Sequence, residues 1–107
     1  MSAVLKSVVW INVITPKAGK LDDVVAFQAN AQRQFAGIVD GFIGTRLHRS
    51  LDGKNLVITT IFESVEHHQR WTKSEAFLEH VGGLKPLVES AEGGHYEIVA
   101  ESGRLQD

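Results

Sequence analysis

The stretch SVVWINVIT, residues 7–15, decides the fold. It is rich in β-branched residues, and the two faces formed by its alternating positions are both mostly apolar, which is typical of a strand covered on both sides. One face carries Trp10 and, two residues on, the polar Asn12. Residues 15–19 then predict a turn, because they contain the Pro and Gly that end regular structure.

Downstream of this strand the apolar period changes. From about Lys20 to Ile38 apolar residues recur at steps of three and four, which predicts an amphipathic helix. Two further strands are predicted over residues 41–50 and 55–63, and Asp52-Gly53 between them is a hairpin turn signal.

The last third of the chain contains weaker signals. Ser and Pro are typical of helix starts, whereas Gly pairs interrupt helices. In chain order the predicted elements are a short helix capped by Ser64 and running through Trp71, a second capped by Ser74 and running through His80, a break at Gly82-Gly83, a helical piece from Pro86 to about Ala91, a strand from His95 to Ala100, and a polar tail over residues 101–107.

The resulting order is β-α-β-β-α-β, a split βαβ or ferredoxin-like α+β fold with a four-stranded antiparallel sheet. We expect one domain over residues 1–107 with its core within about 7–100. Helices cover one face of such a sheet, and the other face still carries Val, Ile and Leu. The pattern therefore predicts that a second copy covers it in a homodimer.

Composition excludes several classes of function. The 107 residues contain no cysteine, which rules out disulfides, thiolate metal ligands and a cysteine nucleophile and fits a cytoplasmic protein. The net charge of -2 is scattered, and no basic run indicates nucleic acid. No apolar segment approaches the ~20 residues of a membrane span, so no membrane partner is expected.

Four stretches make the chain resemble the antibiotic biosynthesis monooxygenase family. They lie at the first strand and turn, at the start of the second strand, at the hairpin, and on the second-helix segment, and the resemblance covers roughly residues 7 to 100. The stretches are INVITPKAGK (11–20), GFIG (41–44), LHRSLDG (47–53) and WTKSEAFLEH (71–80).

The resemblance implies a dimeric α+β barrel in which each subunit holds a pocket between its sheet and its helices. Members of the family include cofactor-free monooxygenases of anthrones and quinols. Others degrade haem, process small signalling molecules or have no known activity. Fold alone therefore does not decide the function.

Asn12 is the most suggestive polar residue, because an unpaired amide inside an apolar strand would be costly. It is either a structural amide bonded to a neighbouring loop or a hydrogen-bond donor to a substrate carbonyl or oxyanion. The resemblance favours the second role and implies that Trp71 forms a wall of the pocket. Trp71 is otherwise a core residue, and Trp10 is core or pocket floor.

The five histidines show no helical spacing that would place two of them on one face for a metal, so no metal site is predicted. His67 lies one turn before Trp71 and is placed at the pocket edge. His48 is in phase with Phe42 on the second strand and could take a proton from a phenol or carbon acid, or could be a plain surface residue. Phe62 is read as core or pocket lining.

Haem is the alternative cofactor. Haem-degrading members of the family carry a proximal His ten positions after the Trp, where this chain has Val81, and His80 comes one residue earlier. That offset corresponds to a rotation of about 100°, which would turn the ligand away from the pocket. Phe77 and His80 are still expected to contact substrate.

The sequence thus predicts a cofactor-independent monooxygenase that oxidises a small electron-rich aromatic, such as a quinol or anthrone, with molecular oxygen. Asn12, Trp71, His48 and His67 are the predicted catalytic residues, and Trp10, Phe62, Phe77 and His80 the predicted substrate-binding residues. A haem-degrading enzyme and a non-catalytic, ligand-binding dimer are the alternatives.

Overall fold

Four antiparallel strands form one sheet with helices on a single face. The computed structural model describes residues 7–105. Its elements are β1 (Val8–Pro16), α1 (Leu21–Phe35), β2 (Phe42–Arg49), β3 (Leu56–Phe62), α2 (Val65–Thr72), α3 (Glu75–Leu84), a single 3-10 turn (Lys85–Leu87) and β4 (Val88–Tyr96).

The strand order across the sheet is β2-β3-β1-β4. β1 therefore lies inside the sheet, antiparallel to β3 on one side and to β4 on the other. At its middle, Asn12 is opposite Ile58 on one neighbour and Gly93 on the other. This topology confirms the predicted ferredoxin-like fold, in which the second helix of the order is divided into α2 and α3.

The serines predicted to begin helices do so. The Ser64 hydroxyl accepts a hydrogen bond from the backbone N–H of His67 at 3.1 Å, and the Ser74 hydroxyl accepts one from Phe77 at 3.2 Å. Each cap satisfies a backbone donor that the first helical turn leaves free. The two helices are consequently separate elements, with α2 ending at Thr72 and α3 beginning at Glu75.

The core lies between the helices and the inner face of the sheet. Ile14, Val24 and Leu56 are completely buried there, and Ile58 is 5% exposed. These residues belong to β1, α1 and β3, so the core joins the two central strands to the first helix. This burial is the main source of stabilisation in a small domain.

The prediction for the last third of the chain was wrong in three places. Gly82 and Gly83 do not break α3, which continues to Leu84. The helical piece expected to reach Ala91 is only the 3-10 turn that contains Pro86. β4 begins at Val88 rather than His95 and includes both glycines of the Gly93-Gly94 pair.

Tertiary packing explains these differences. Pairing with the whole length of β1 holds residues 88–96 extended despite their low strand propensity. In α3, the Phe27 ring packs over the Cα of Gly83, so the glycine permits a close approach that a side chain would prevent. Beyond β4, residues 97–105 lie outside helices and strands.

An irregularity in β2 changes the phase of that strand. The pairing with β3 shifts between Phe42 and Gly44, so that Phe42 and Thr45 both face the helices. His48, which pairs with Val57 farther along, consequently points to the opposite face. The predicted phase, which put His48 and Phe42 on one face, was wrong for this reason.

The sheet face without helices is apolar along its two central strands. Val9 and Ile61 are opposite each other there, as are Val13 and Val57. Val13 is 39% exposed in the single chain. Contiguous apolar surface of this kind marks an interaction site. Among residues 7–105, no helix combines the length and apolarity needed to cross a membrane.

The core and the hairpin together provide a matched test of stability. Leu56 is 0% exposed and Leu51 is 106% exposed, although they lie five residues apart. Leu56→Ala should lower the free energy of unfolding by about 2–5 kcal/mol, because it leaves a cavity. Leu51→Ala should change it by less than about 0.5 kcal/mol. Urea unfolding measures both, and equal effects would contradict the described core.

Candidate functional site

A cavity of about 150 Å³ lies between the inner face of the sheet and the helices. Aromatic rings and uncharged polar groups make up most of its wall. The aromatic lining residues are Trp10, Phe35, Phe42, Phe62, Trp71 and Phe77, and the polar ones are Asn12, Gln28, Gln32, Thr45, Thr60, His68 and His80.

Most of the residues that the sequence predicted for the site meet at this cavity. The lining includes Trp10, Asn12, Phe62, Trp71, Phe77 and His80. They come from β1, β3, α2 and α3, and the antiparallel sheet brings the first three onto one face.

The Asn12 amide has no hydrogen-bond partner within residues 7–105. Other polar groups in the wall are paired: Gln32 Nε2 donates to Thr45 Oγ1 at 2.9 Å, and Thr45 Oγ1 lies 3.0 Å from Thr60 Oγ1. No loop bond of the kind considered for a structural Asn12 is present among the described residues. The amide is therefore free to bind a ligand in the cavity.

Two tryptophans form part of the wall. Trp71 is held by edge contacts with Phe35, 4.9 Å between ring centroids, and with Phe77, 5.6 Å. The Trp10 indole lies over the Cα of Gly93 on β4, where any Cβ would overlap it. Both indoles are thus fixed by packing and present flat apolar surfaces to the cavity.

His48 does not line this cavity. It lies on the other face of the sheet and is exposed, with Nε2 3.5 Å from Thr59 Oγ1. The shifted register in β2 explains this position. A base for chemistry inside this cavity must therefore be another group.

His67 also lies outside the cavity lining. Its Nδ1 is 2.7 Å from the Ser64 hydroxyl, and its Nε2 is 3.8 Å from the carboxylates of Asp40 and Glu63. The ring packs on Gly41, which leaves no room for a Cβ. His67 is therefore part of the N-terminal cap of α2, and its predicted place at the pocket edge was wrong.

The histidine that α2 presents to the cavity is its neighbour, His68, which is 4% exposed. The sequence analysis missed this residue. The available signal was its spacing from Trp71. His68 lies three positions before Trp71 and His67 four, and both spacings place a residue on the same helix face as Trp71. His68 Nδ1 lies 2.8 Å from Nε2 of His95 on β4.

Burial keeps the two cavity histidines neutral. The pKa of His68 falls from 6.5 to about 4, chiefly because burial disfavours the charged ring and secondly because His95 is close. Burial also lowers the pKa of His80. Since no Asp, Glu, Lys or Arg lines the cavity, its described wall is uncharged near neutral pH.

His80 lines the cavity, although its one-residue offset from the family's haem-ligand position had been expected to turn it away as a haem ligand. Its Nε2 donates to the Gln28 side-chain oxygen at 3.0 Å, and its ring stacks on Phe27 with 5.2 Å between centroids. Val81 lines the cavity as well, so α3 offers two successive residues to it. The one-residue offset therefore did not exclude His80 from the site.

The residues present do not fit a haem group. His80 Nε2 is already engaged by Gln28, and the ring is clamped between Phe27 and Phe35. The cavity of about 150 Å³ is also smaller than the roughly 300–1,000 Å³ of sites for drug-sized ligands. A haem ligated by His80 would need both the ring and the cavity walls to move.

The fold and the site define a class of protein: a ferredoxin-like domain with a small aromatic-lined cavity between sheet and helices. The sequence model of one family, antibiotic biosynthesis monooxygenase, matches residues 7–83. That match spans more than half of the chain, and the chain belongs to this family. The predicted resemblance is thereby confirmed.

Solved structures of similar fold agree with this assignment. SnoaB, a cofactor-independent oxygenase from Streptomyces nogalater, is 20% identical over 95% of this chain and 99% of that chain, with a TM-score of 0.75. A proposed antibiotic biosynthesis monooxygenase from Bordetella bronchiseptica is 22% identical over 89% and 99%, with a TM-score of 0.81. At these identities the likeness concerns the fold. No curated protein matches the chain.

The neutral state of His68 predicts a pH-dependent stability. Because its folded pKa of about 4 is below the 6.5 of an exposed histidine, the unfolded chain binds more protons between these values. The free energy of unfolding should therefore fall as the pH drops from 6.5 toward 4.

The matched comparison is His68→Gln, which has no titrating group at this position. Wild type should lose on the order of 2 kcal/mol more than this variant between about pH 7 and about pH 4. Urea unfolding at both pH values measures the difference, and His80 contributes equally to both proteins. Parallel losses would show that His68 is not held neutral by burial.

Proposed function

We propose that the chain is a cofactor-independent monooxygenase that oxidises a small electron-rich aromatic with molecular oxygen. The observation that carries this proposal is the unpaired Asn12 amide in the wall of an uncharged, aromatic-lined cavity. Family membership supports a monooxygenase-type function. The cofactor-independent oxygenase from Streptomyces nogalater supports the absence of a cofactor requirement.

The cavity volume favours a single-ring substrate. A cavity of about 150 Å³ holds one benzene ring. A quinol of one ring therefore suits this cavity, whereas the three fused rings of an anthrone would require the walls to move. Within the predicted substrate class, a single-ring quinol is the better candidate.

The reaction can proceed without a metal or flavin because the substrate is itself the reductant. A quinol that has lost a hydroxyl proton passes electrons to oxygen, one oxygen atom forms a bond to a ring carbon, and the other leaves as water. The net change converts quinol and oxygen to hydroxyquinone and water. The protein needs to exclude solvent, orient the ring and stabilise the anion.

The described residues suit these tasks. The Asn12 N–H groups would donate to the substrate oxygen as negative charge develops on it, in a cavity where no competing charge lies in the wall. Trp71 would stack against the ring, and Trp10 would form another part of the wall. His80, held by Gln28, would contact the substrate edge.

Replacement of Asn12 tests this assignment. Asn12→Ala should lower kcat for oxygen uptake with hydroquinone roughly 100-fold, since it removes a donor to the developing oxyanion. Stability should change little, because the amide has no partner within the described chain to lose. Oxygen uptake is measured in the presence of chelator, with the uncatalysed oxidation subtracted.

Asn30→Ala on the exposed side of α1 is the matched control and should keep wild-type turnover. Equal kcat in Asn12→Ala and Asn30→Ala would refute the role of Asn12. If wild type binds hydroquinone without consuming oxygen, the monooxygenase proposal fails and the chain is a non-catalytic ligand-binding protein.

We also propose that the active form is a homodimer joined through the helix-free sheet face. The face is centred on the pairs Val9–Ile61 and Val13–Val57, whose half-exposed side chains are the apolar surface that a second sheet would bury. A domain of this size also covers only about two-thirds of its surface alone.

A charge at the centre of that face should prevent association. Val57→Asp is expected to convert the dimer to monomer, because it would bury an unpaired carboxylate against the second sheet. Val99→Asp, at a position 84% exposed and outside the sheet, is the control and should remain dimeric. Sedimentation velocity distinguishes the species, and a monomeric wild type would contradict the proposal.

A further inference from the structure

A pair of histidines connects the cavity to the edge of the sheet. His68 lies on α2 in the cavity wall, and His95 lies on the edge strand β4, where it is exposed. His68 Nδ1 and His95 Nε2 are 2.8 Å apart, so one of the two donates a hydrogen bond to the other. Neither histidine takes part in a helix cap, and His68 packs against the buried ring of Phe62.

Trp10 fixes the geometry of this pair. Its indole contacts the His68 ring at 4.5 Å and the His95 ring at 5.1 Å between centroids. The Phe62 ring, on β3, contacts the His68 ring with 5.0 Å between centroids. Of the three described rings in contact with His68, only that of His95 carries an ionisable group. No described carboxylate or cation forms a bond with either histidine.

The second nitrogen of His68, Nε2, faces open space. It has no hydrogen-bond partner among residues 7–105, and yet it is not among the fully enclosed polar atoms that lack one. The residue is 4% exposed and lines the cavity. Because the rest of the residue is nearly enclosed, the cavity is the space that Nε2 would reach.

We propose that His68 and His95 form a proton relay that removes the hydroxyl proton of the bound substrate and delivers it to the protein surface. This inference rests on the proposed function. The substrate O–H bond breaks and its proton binds His68 Nε2, while the Nδ1 proton of His68 moves to His95 Nε2. The proton returns by the same route when water is released.

The relay avoids a charged group in the cavity. A single buried histidine acting as base would become an imidazolium where burial disfavours it. Here His68 exchanges one neutral tautomer for the other, and the positive charge forms on His95, which water can hydrate. His68 is thus a catalytic residue, whereas His95 acts through it.

Kinetics provide the first test. His68→Gln should lower kcat for oxygen uptake with hydroquinone roughly 100-fold with little change in KM, because it removes the group that takes the proton. His95→Ala should lower kcat roughly 10-fold, and added imidazole should restore much of it, since the lost group is solvent-exposed. Asn30→Ala, on the exposed side of α1, is the control and should behave as wild type.

The outcomes separate the relay from a structural role. Loss of kcat in His95→Ala that imidazole does not restore would mean that His95 only supports the fold or the Trp10 ring. Full activity in His68→Gln, with Asn12→Ala still impaired, would overturn the relay and leave the proposed function intact. An inactive wild type would overturn the function.

Nitrogen-15 NMR of the histidine rings tests the pair without any turnover. The relay requires that resting His68 carries its proton on Nδ1 and leaves Nε2 unprotonated near neutral pH. It also predicts that His95→Ala alters the Nδ1 signal of His68. If Nε2 of His68 carries the proton in the resting protein, it cannot accept one from substrate, and the relay is refuted whatever the activity.

Discussion

The pairing of β1 with a strand on each side is the constraint on which the rest of the structure depends. It places Ile14 in the core and places Asn12, two residues earlier on the same face of the strand, in the cavity wall. Backbone hydrogen bonds hold this strand from both sides. The Cα from which the Asn12 side chain projects is therefore held in place, although the side-chain amide itself has no partner in the described chain. The polar group of the site is therefore positioned by the sheet and not by side-chain bonds.

The polar groups in the cavity wall are neutral dipoles rather than charged side chains. Its described wall contains amides, hydroxyls and imidazoles that burial holds neutral, and no ionised side chain. Such a wall suits an uncharged aromatic ligand, because no charged group has to be removed from water when the ligand binds. In the proposed reaction, charge develops only as the substrate reacts, and preoriented dipoles are most effective at that stage.

The sequence predicted much of the fold because its signals were local. The alternation in β1 and the serines that cap α2 and α3 depend on neighbouring residues alone, and so does the choice of Asn12 as the polar group of an apolar strand. What failed depended on partners distant in the chain. The start of β4 is set by pairing with β1, and the phase of His48 by an irregularity against β3.

The histidines illustrate the same limit at the site. His67 and His68 are adjacent, and periodicity alone could not choose which one faces the sheet, since both are within one turn of Trp71. The choice was made by the Ser64 cap and by Gly41, which together hold His67 outside. The contact of His68 with His95 joins residues far apart in sequence and requires the sheet register to be known.

The close approach of the Trp10 indole to Gly93 has a consequence for how this site can diversify. The cavity floor is supported from behind by a residue with no side chain, on an edge strand that contributes little to the core. A methyl group there would tilt the indole and reshape the chamber while leaving Asn12 and the central strands in place. The size of the cavity can thus change through the margin of the domain, independently of Asn12 and the two central strands.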